Sequence, residues 1–190
     1  MDLIFNNQFS IFEDIFYKYL TPKQCVKFYS SNKIVYNIYI KNNKFEHNYF
    51  TPKYNNELRT SVNEWCSNKE DAIIKYGNIG YWNTIYIYSM SLLFYRKTEF
   101  NDNIEEWNTS NVINMSGMFN GAVSFNQPLN DWNISNVIHM PCMFQSANRF
   151  NQLLDNWDTS NVIDMDYIFM EDSYNKDICK NWNLTNVIRY

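Results

Sequence analysis

The residue types that could carry chemistry are few and scattered. His47 and His139 are the only histidines, and Cys25, Cys66, Cys142 and Cys179 stand far apart with no CxxC pair. A metal site needs clustered ligands at short spacing, and a nucleophile needs a base and an orienting partner beside it. Neither pattern is present, nor is HExxH or a glycine-rich phosphate loop. The expectation is a non-catalytic protein with no cofactor and no metal, its cysteines buried as small apolar groups. Carboxylates recur just before successive tryptophans, as Glu105-Glu106, Asp131 and Asp155. Parallel segments stack at ~4.8 Å, so these four could line up as an acidic stripe facing a protein partner, with a plain solvated face as the preferred alternative. Asn108-Thr-Ser, Asn133-Ile-Ser and Asn183-Leu-Thr match the glycosylation sequon. Each also falls where the surrounding pattern demands an Asn and a cap, which is the preferred reading.

That surrounding pattern is a repeat. Trp82, Trp107, Trp132, Trp157 and Trp182 stand at a constant 25-residue interval. Ile87, Val112, Val137, Val162 and Val187 follow at one offset, then Met90, Met115, Met140 and Met165, then Phe94, Phe119, Phe144 and Phe169. Phe100, Phe125 and Phe150 close the unit, each followed by Asn. A fixed period of this length signals stacked supersecondary units, none of which can bury its apolar face alone. The Met and Phe positions are therefore expected to be core rather than a soft ligand surface.

Val112, Met115, Met118 and Phe119 share the face of a short helix if that run is helical, with Thr109 and Ser110 as its cap. Gln127 to Trp132 has extended character, and a short strand is expected there. The fold class expected is α/β: a leucine-rich-repeat-like solenoid of about 4.5 repeats, each a short strand plus a short helix, over residues 58–190. Capping helices are expected over 58–76. Leu58, Val62 and Trp65 mark one face, Ser67 and Glu70 suit a capping box, and Gly77 is the stop. In the fourth unit Tyr174 and Asn175 fall one residue early, so that coil should be distorted. The last unit shows no obvious cap, which leaves self-association open.

Residues 1–57 do not repeat and read as a small helical module. Phe12, Ile15, Phe16, Tyr19 and Leu20 form one apolar helical pattern and Cys25, Val26, Phe28 and Tyr29 a second, divided by Thr21-Pro22. Acidic residues in the first stretch, and the lack of a basic start or cleavage site, make it a poor signal peptide. No apolar run approaches the ~20 residues that a membrane span needs. A formal net charge of -4 with no basic patch argues against nucleic acid as partner. A cytoplasmic protein that touches no membrane is the expectation.

The residues of the repeat also carry a resemblance. "WNTSNVINMSGMFNGAVSFNQPLNDWNISNVIHMPCMF" and "FNQLLDNWDTSNVIDM" strongly resemble the 25-residue repeat of BspA-type surface proteins and mycoplasma-type lipoproteins, a repeat also abundant in protists and large DNA viruses. The lead-in from Leu58 to Trp82 is similar to the segment that precedes that repeat. Membership implies a protein-interaction solenoid with no catalytic residues to carry over. "IFYKYLTPKQCVKFYSSNKIVYN" resembles an F-box, although the Leu-Pro that opens an F-box is replaced by Gln8-Phe9 or Ile11-Phe12. A plain helical cap is the alternative for this segment. The F-box resemblance implies binding to a Skp-type adaptor of a ubiquitin ligase through Ile15, Phe16, Tyr19, Leu20, Pro22 and Val26. Two functions follow: a ligase substrate adaptor of a large DNA virus or protist, or a structural, surface or adhesion protein.

Overall fold

The computed structural model describes residues 50–169 and 176–188. The expected N-terminal helices, Cys25, His47 and the register slip at Tyr174-Asn175 lie outside them. Two helices open the described part. α1, Asn55–Ser67, buries Leu58, Ser61, Val62 and Trp65, which fall at i, i+3, i+4 and i+7 on one face. α2, Lys69–Tyr76, follows after a single residue and buries Ala72.

The junction corrects the expected capping box. α1 runs through Ser67, whose hydroxyl donates back to the Asn63 carbonyl. Asn68 instead caps α2, its side-chain oxygen accepting from the Asp71 amide, while its own amide closes α1 on Glu64. Gly77 ends α2 at φ 71°, the left-handed geometry that glycine adopts without strain.

From Ile79 onward the chain returns on itself every 25 residues, each pass lying parallel to the last. Parallel bridges join Ser89 to Asn114, Asn114 to His139 and His139 to Asp164. Each unit begins with its tryptophan, buried at Trp82, Trp107, Trp132 and Trp157 and partly buried at Trp182. The indole N–H reaches across to the preceding pass: Trp107 donates to the Ile79 carbonyl, Trp132 to Ile104, Trp157 to Leu129 and Trp182 to Leu154. Next comes an Asn or Asp whose side-chain oxygen accepts the amide two residues on, as Asn108 does from Ser110 and Asp158 from Ser160. This local turn replaces the helix cap expected from Thr109 and Ser110. Thr109 turns its hydroxyl to the Asn133 carbonyl of the next pass.

The short helix expected over 112–119 is not there; these residues hold the bridge and a run of turns. The amides explain why. Those of Met115, Gly117, Phe119 and Gly121 donate to His139, Pro141, Met143 and Gln145 of the next pass. Those of Met118, Asn120 and Ala122 each close a turn on the carbonyl three residues back within the pass. Alternate donors are thus committed outward, and a left-handed residue at Gly117, φ 57°, breaks any helical continuation. The stretch Gln127 to Trp132, expected as a strand, is irregular and ends in a turn, with the Trp132 amide on the Leu129 carbonyl.

The repeated apolar positions are core. Met90, Met115, Met140 and Met165 are buried, as are Phe94, Phe119 and Phe144. The Phe94, Phe119, Phe144 and Phe169 rings stack in register, 5.4, 5.5 and 5.6 Å between centroids. Phe100, Phe125 and Phe150 form a second column beside them at 5.8 and 5.9 Å. Trp65 and Tyr76 of the helices close the first end of this stack against Trp82.

The cysteines depart from expectation. Cys66 is exposed, and Cys142 and Cys179 are half-buried. The packing around the Cys66 sulfur nonetheless pushes its thiol up to about 11, which keeps it protonated and unreactive near neutral pH.

Candidate interaction face

Stacking brings one position of each unit to the same line on the surface, so the face is built by repetition. The residue after each core valine illustrates this. Tyr88, Ile113, Ile138, Ile163 and Ile188 share it. Their amides form a continuous ladder, Ile113 on the Tyr88 carbonyl, Ile138 on Ile113, Ile163 on Ile138 and Ile188 on Ile163. The preceding valine faces the core, so the backbone turns this side chain outward. Tyr88 is 60%, Ile113 43% and Ile188 77% exposed, with Ile138 and Ile163 half-buried. Tyr86, 54% exposed, extends the apolar column at the first pass.

A ladder of asparagines borders it. Asn111 donates to the Ile85 carbonyl, Asn136 to Ser110, Asn161 to Ser135 and Asn186 to Ser160, each at 2.7 Å. These side chains tie neighbouring passes together along an exposed line, which fixes the spacing of the isoleucines beside them. On the other side stand the bridge residues Ser89, Asn114, His139 and Asp164.

The expected acidic residues are placed less simply. Glu106 and Asp131 share one repeat position and are both exposed. Glu105 and Asp155 share the position before it and are half-buried, but Asn130 stands between them. Asn130 spends its side-chain oxygen on the Asn156 amide. Asp155 lies 3.9 Å from Lys180 of the next pass, and its other oxygen is buried with no hydrogen-bond partner among the described residues. The four therefore occupy two adjacent lines rather than one. Ile15, Phe16, Tyr19, Leu20, Pro22 and Val26 lie outside the described residues.

A groove of about 600 Å³ separates the α1–α2 junction from the first pass, lined by Trp65, Cys66, Lys69, Lys97 and Asp102 among others. Its strongest charges satisfy one another: Asp102 takes both the Lys69 ammonium and the Trp65 indole N–H. Among the described residues no group of three His, Cys, Asp or Glu is placed to hold a metal, and no helix is long and apolar enough to cross a membrane. The sequon asparagines Asn108, Asn133 and Asn183 are exposed, each accepting from the hydroxyl two residues on.

A chain whose successive 25-residue passes bond to one another in parallel, with recurring residues in columns, is a repeat protein. It belongs to the family described as Mycoplasma protein of unknown function, DUF285, whose model matches residues 60–182. Neither a curated protein nor a solved structure matches the chain.

The apolar column was missed from sequence. Its isoleucines sit inside the runs "NVIN", "NVIH" and "NVID", where two adjacent apolar residues read as one buried stretch. The period itself held the signal, since only one of two neighbours can face inward on a turning backbone.

Proposed function

We propose that this chain is a non-catalytic protein-binding module: a leucine-rich-repeat-like solenoid of 25-residue coils that offers its outward apolar column to a protein partner. The observation that carries this reading is that column. A large β-branched or aromatic residue recurs at an outward position in every coil, exposed at Tyr88, Ile113 and Ile188 and half-buried at Ile138 and Ile163, and contiguous outward apolar surface marks a contact site. Polar residues border it on both sides, as the rim of an interface does. The N-terminal segment extends the proposal: its F-box resemblance makes a Skp-type adaptor the partner proposed for Ile15, Phe16, Tyr19, Leu20, Pro22 and Val26.

Affinity purification of the full chain from its native cell tests both parts. The double variant Ile113→Thr/Ile138→Thr should lose the solenoid's partner, and Phe16→Asp or Leu20→Asp should lose the adaptor. A partner list unchanged by the double variant rejects the column as the binding face. An adaptor absent even from the wild-type list rejects the ligase part alone.

A further inference from the structure

Taking as given the protein-binding function proposed above, we infer that the column from Tyr88 to Ile163 seats a single amphipathic α-helix of the partner, its N-terminal end over Asp164 and Asp166. Spacing is the first reason. Successive coils lie 5.4–5.6 Å apart on the Phe94–Phe169 column and 5.8–5.9 Å apart on the Phe100–Phe150 column, and an α-helix rises ~5.4 Å per turn. One apolar side chain per turn therefore meets one coil. An extended peptide repeats its facing side chains every ~6.6 Å and falls further out of register than a helix on either column. At the ~4.8 Å of paired strands the helix drifts only ~0.6 Å per coil and the extended chain ~1.8 Å.

Hydrogen bonding gives the second reason. The amides of Ile113, Ile138 and Ile163 already donate to the preceding coil. A strand laid along the column would find these donors taken, so strand addition offers little here. A helix satisfies its own backbone and asks the surface only for apolar contact.

Charge sets direction. The middle of the face carries Asn114 and His139 beside the isoleucines, and these repeat positions hold no carboxylate or ammonium in the second and third coils. The fourth coil carries Asp164 and Asp166, close enough to Cys142 that both charges, after burial, raise its thiol pKa; Ile188 of the fifth coil continues the column beyond them. The first-coil end carries Lys53, whose ammonium lies 4.3 Å from the Tyr86 ring centre, and Arg59 on the Ser91 and Leu92 carbonyls, against Glu57. A helix presents partial positive charge at its N-terminus and negative at its C-terminus. The favoured docking puts that N-terminus, with any basic residues of its first turn, over the two aspartates.

The test displays random ~16-residue peptides, about four and a half helical turns, against the full-length chain, then measures selected peptides by fluorescence anisotropy. Enriched sequences should space apolar residues at i, i+4, i+7 and i+11 with Lys or Arg near the start. Their affinity should fall about tenfold or more on Ile113→Thr/Ile138→Thr, and several-fold on Asp164→Asn/Asp166→Asn. The double variant should melt as the wild type does; if it does not, Tyr88→Ser at the most exposed of the first four positions takes its place. Column-dependent binders of period two overturn the helix but leave protein binding standing. No enrichment, with the native partner still lost on the double variant, overturns the helix alone. Binders indifferent to the column overturn this seat. Column-dependent dimerisation in sedimentation, or a cross-link from Ile138→Cys to residues 1–49 of the same chain, names a different occupant and overturns the partner helix.

Discussion

The first coil, beginning at Trp82, and the second, beginning at Trp107, follow one path with different residues at the bends. In the second coil two glycines take the left-handed positions, Gly117 at φ 57° and Gly121 at φ 72°. In the first coil Leu92 at 56° and Arg96 at 55° do the same. A left-handed side-chain-bearing residue costs roughly 1–2 kcal/mol, so local preference does not bend the first coil. The stack does: the Leu92, Phe94 and Arg96 amides each donate to the second coil, and Phe94 stacks on Phe119. The two choices also fit each other. A Cβ on Gly117 would come within 2.7 Å of Leu92 Cδ2, so glycine in one coil makes room for leucine in the other. The difference teaches that the bend belongs to the assembly, and that residue identity there is free to vary within what the neighbouring coil allows.

The largest effect should come from breaking the shared columns. Phe119→Ala removes a fully buried ring stacked on Phe94, Phe125 and Phe144, and denaturant unfolding should show a loss of about 3–5 kcal/mol. Gly117→Ala comes next: it adds both left-handed strain and the Leu92 contact, for about 1–3 kcal/mol. Pairing it with Leu92→Ala should recover the steric share and leave the strain, which a double-mutant cycle measures. Cys142→Gly, at the same bend with φ 56°, should instead stabilise by up to about 1 kcal/mol. Asn136→Ala removes a tie between coils that the first coil lacks, where Tyr86 holds the equivalent position, and should cost about 1 kcal/mol.

The smallest effect lies in the helices. Hydrogen bonds from Lys75 first and Tyr76 second hold the Glu64 carboxyl below its usual range. A lowered carboxyl pKa gives stability that is present above the unfolded value and lost as pH falls through the folded one. Glu64→Gln should remove that slope on the acid side of the ordinary carboxylate range. The group is exposed, so the change in an acid titration of the melting temperature should be slight.

The period made much of the core legible: Trp, Val, Met and Phe at constant offsets could be assigned to the interior before any geometry. The local elements were not legible. Val112, Met115 and Met118 have helical spacing because turns closed on the carbonyl three residues back bring them to one side, and such turns share the helix's i, i+3 signature. Sequence spacing cannot reveal that alternate amides leave the chain for a neighbour 25 residues on. Thr109 and Ser110 looked like cap residues, yet the Thr109 hydroxyl reaches the Asn133 carbonyl of the next coil; the side-chain amides of Asn111 and Asn136, which reach the preceding coil, carried no signal of their own. The acidic residues were found by type, but Glu105 stands two residues before its tryptophan and Asp131 one, and that single position puts them on separate lines.

The central claim is that binding runs through Tyr88, Ile113, Ile138 and Ile163 rather than through the acidic positions. The most direct measurement is the affinity of the natural partner for three proteins: wild type, Ile113→Thr/Ile138→Thr, and Glu105→Gln/Glu106→Gln/Asp131→Asn. All three should melt alike. The isoleucine variant should bind about tenfold or more weakly and the acidic variant within about twofold, as rim charges contribute little. Unchanged affinity in the isoleucine variant, with loss in the acidic one, would contradict the account.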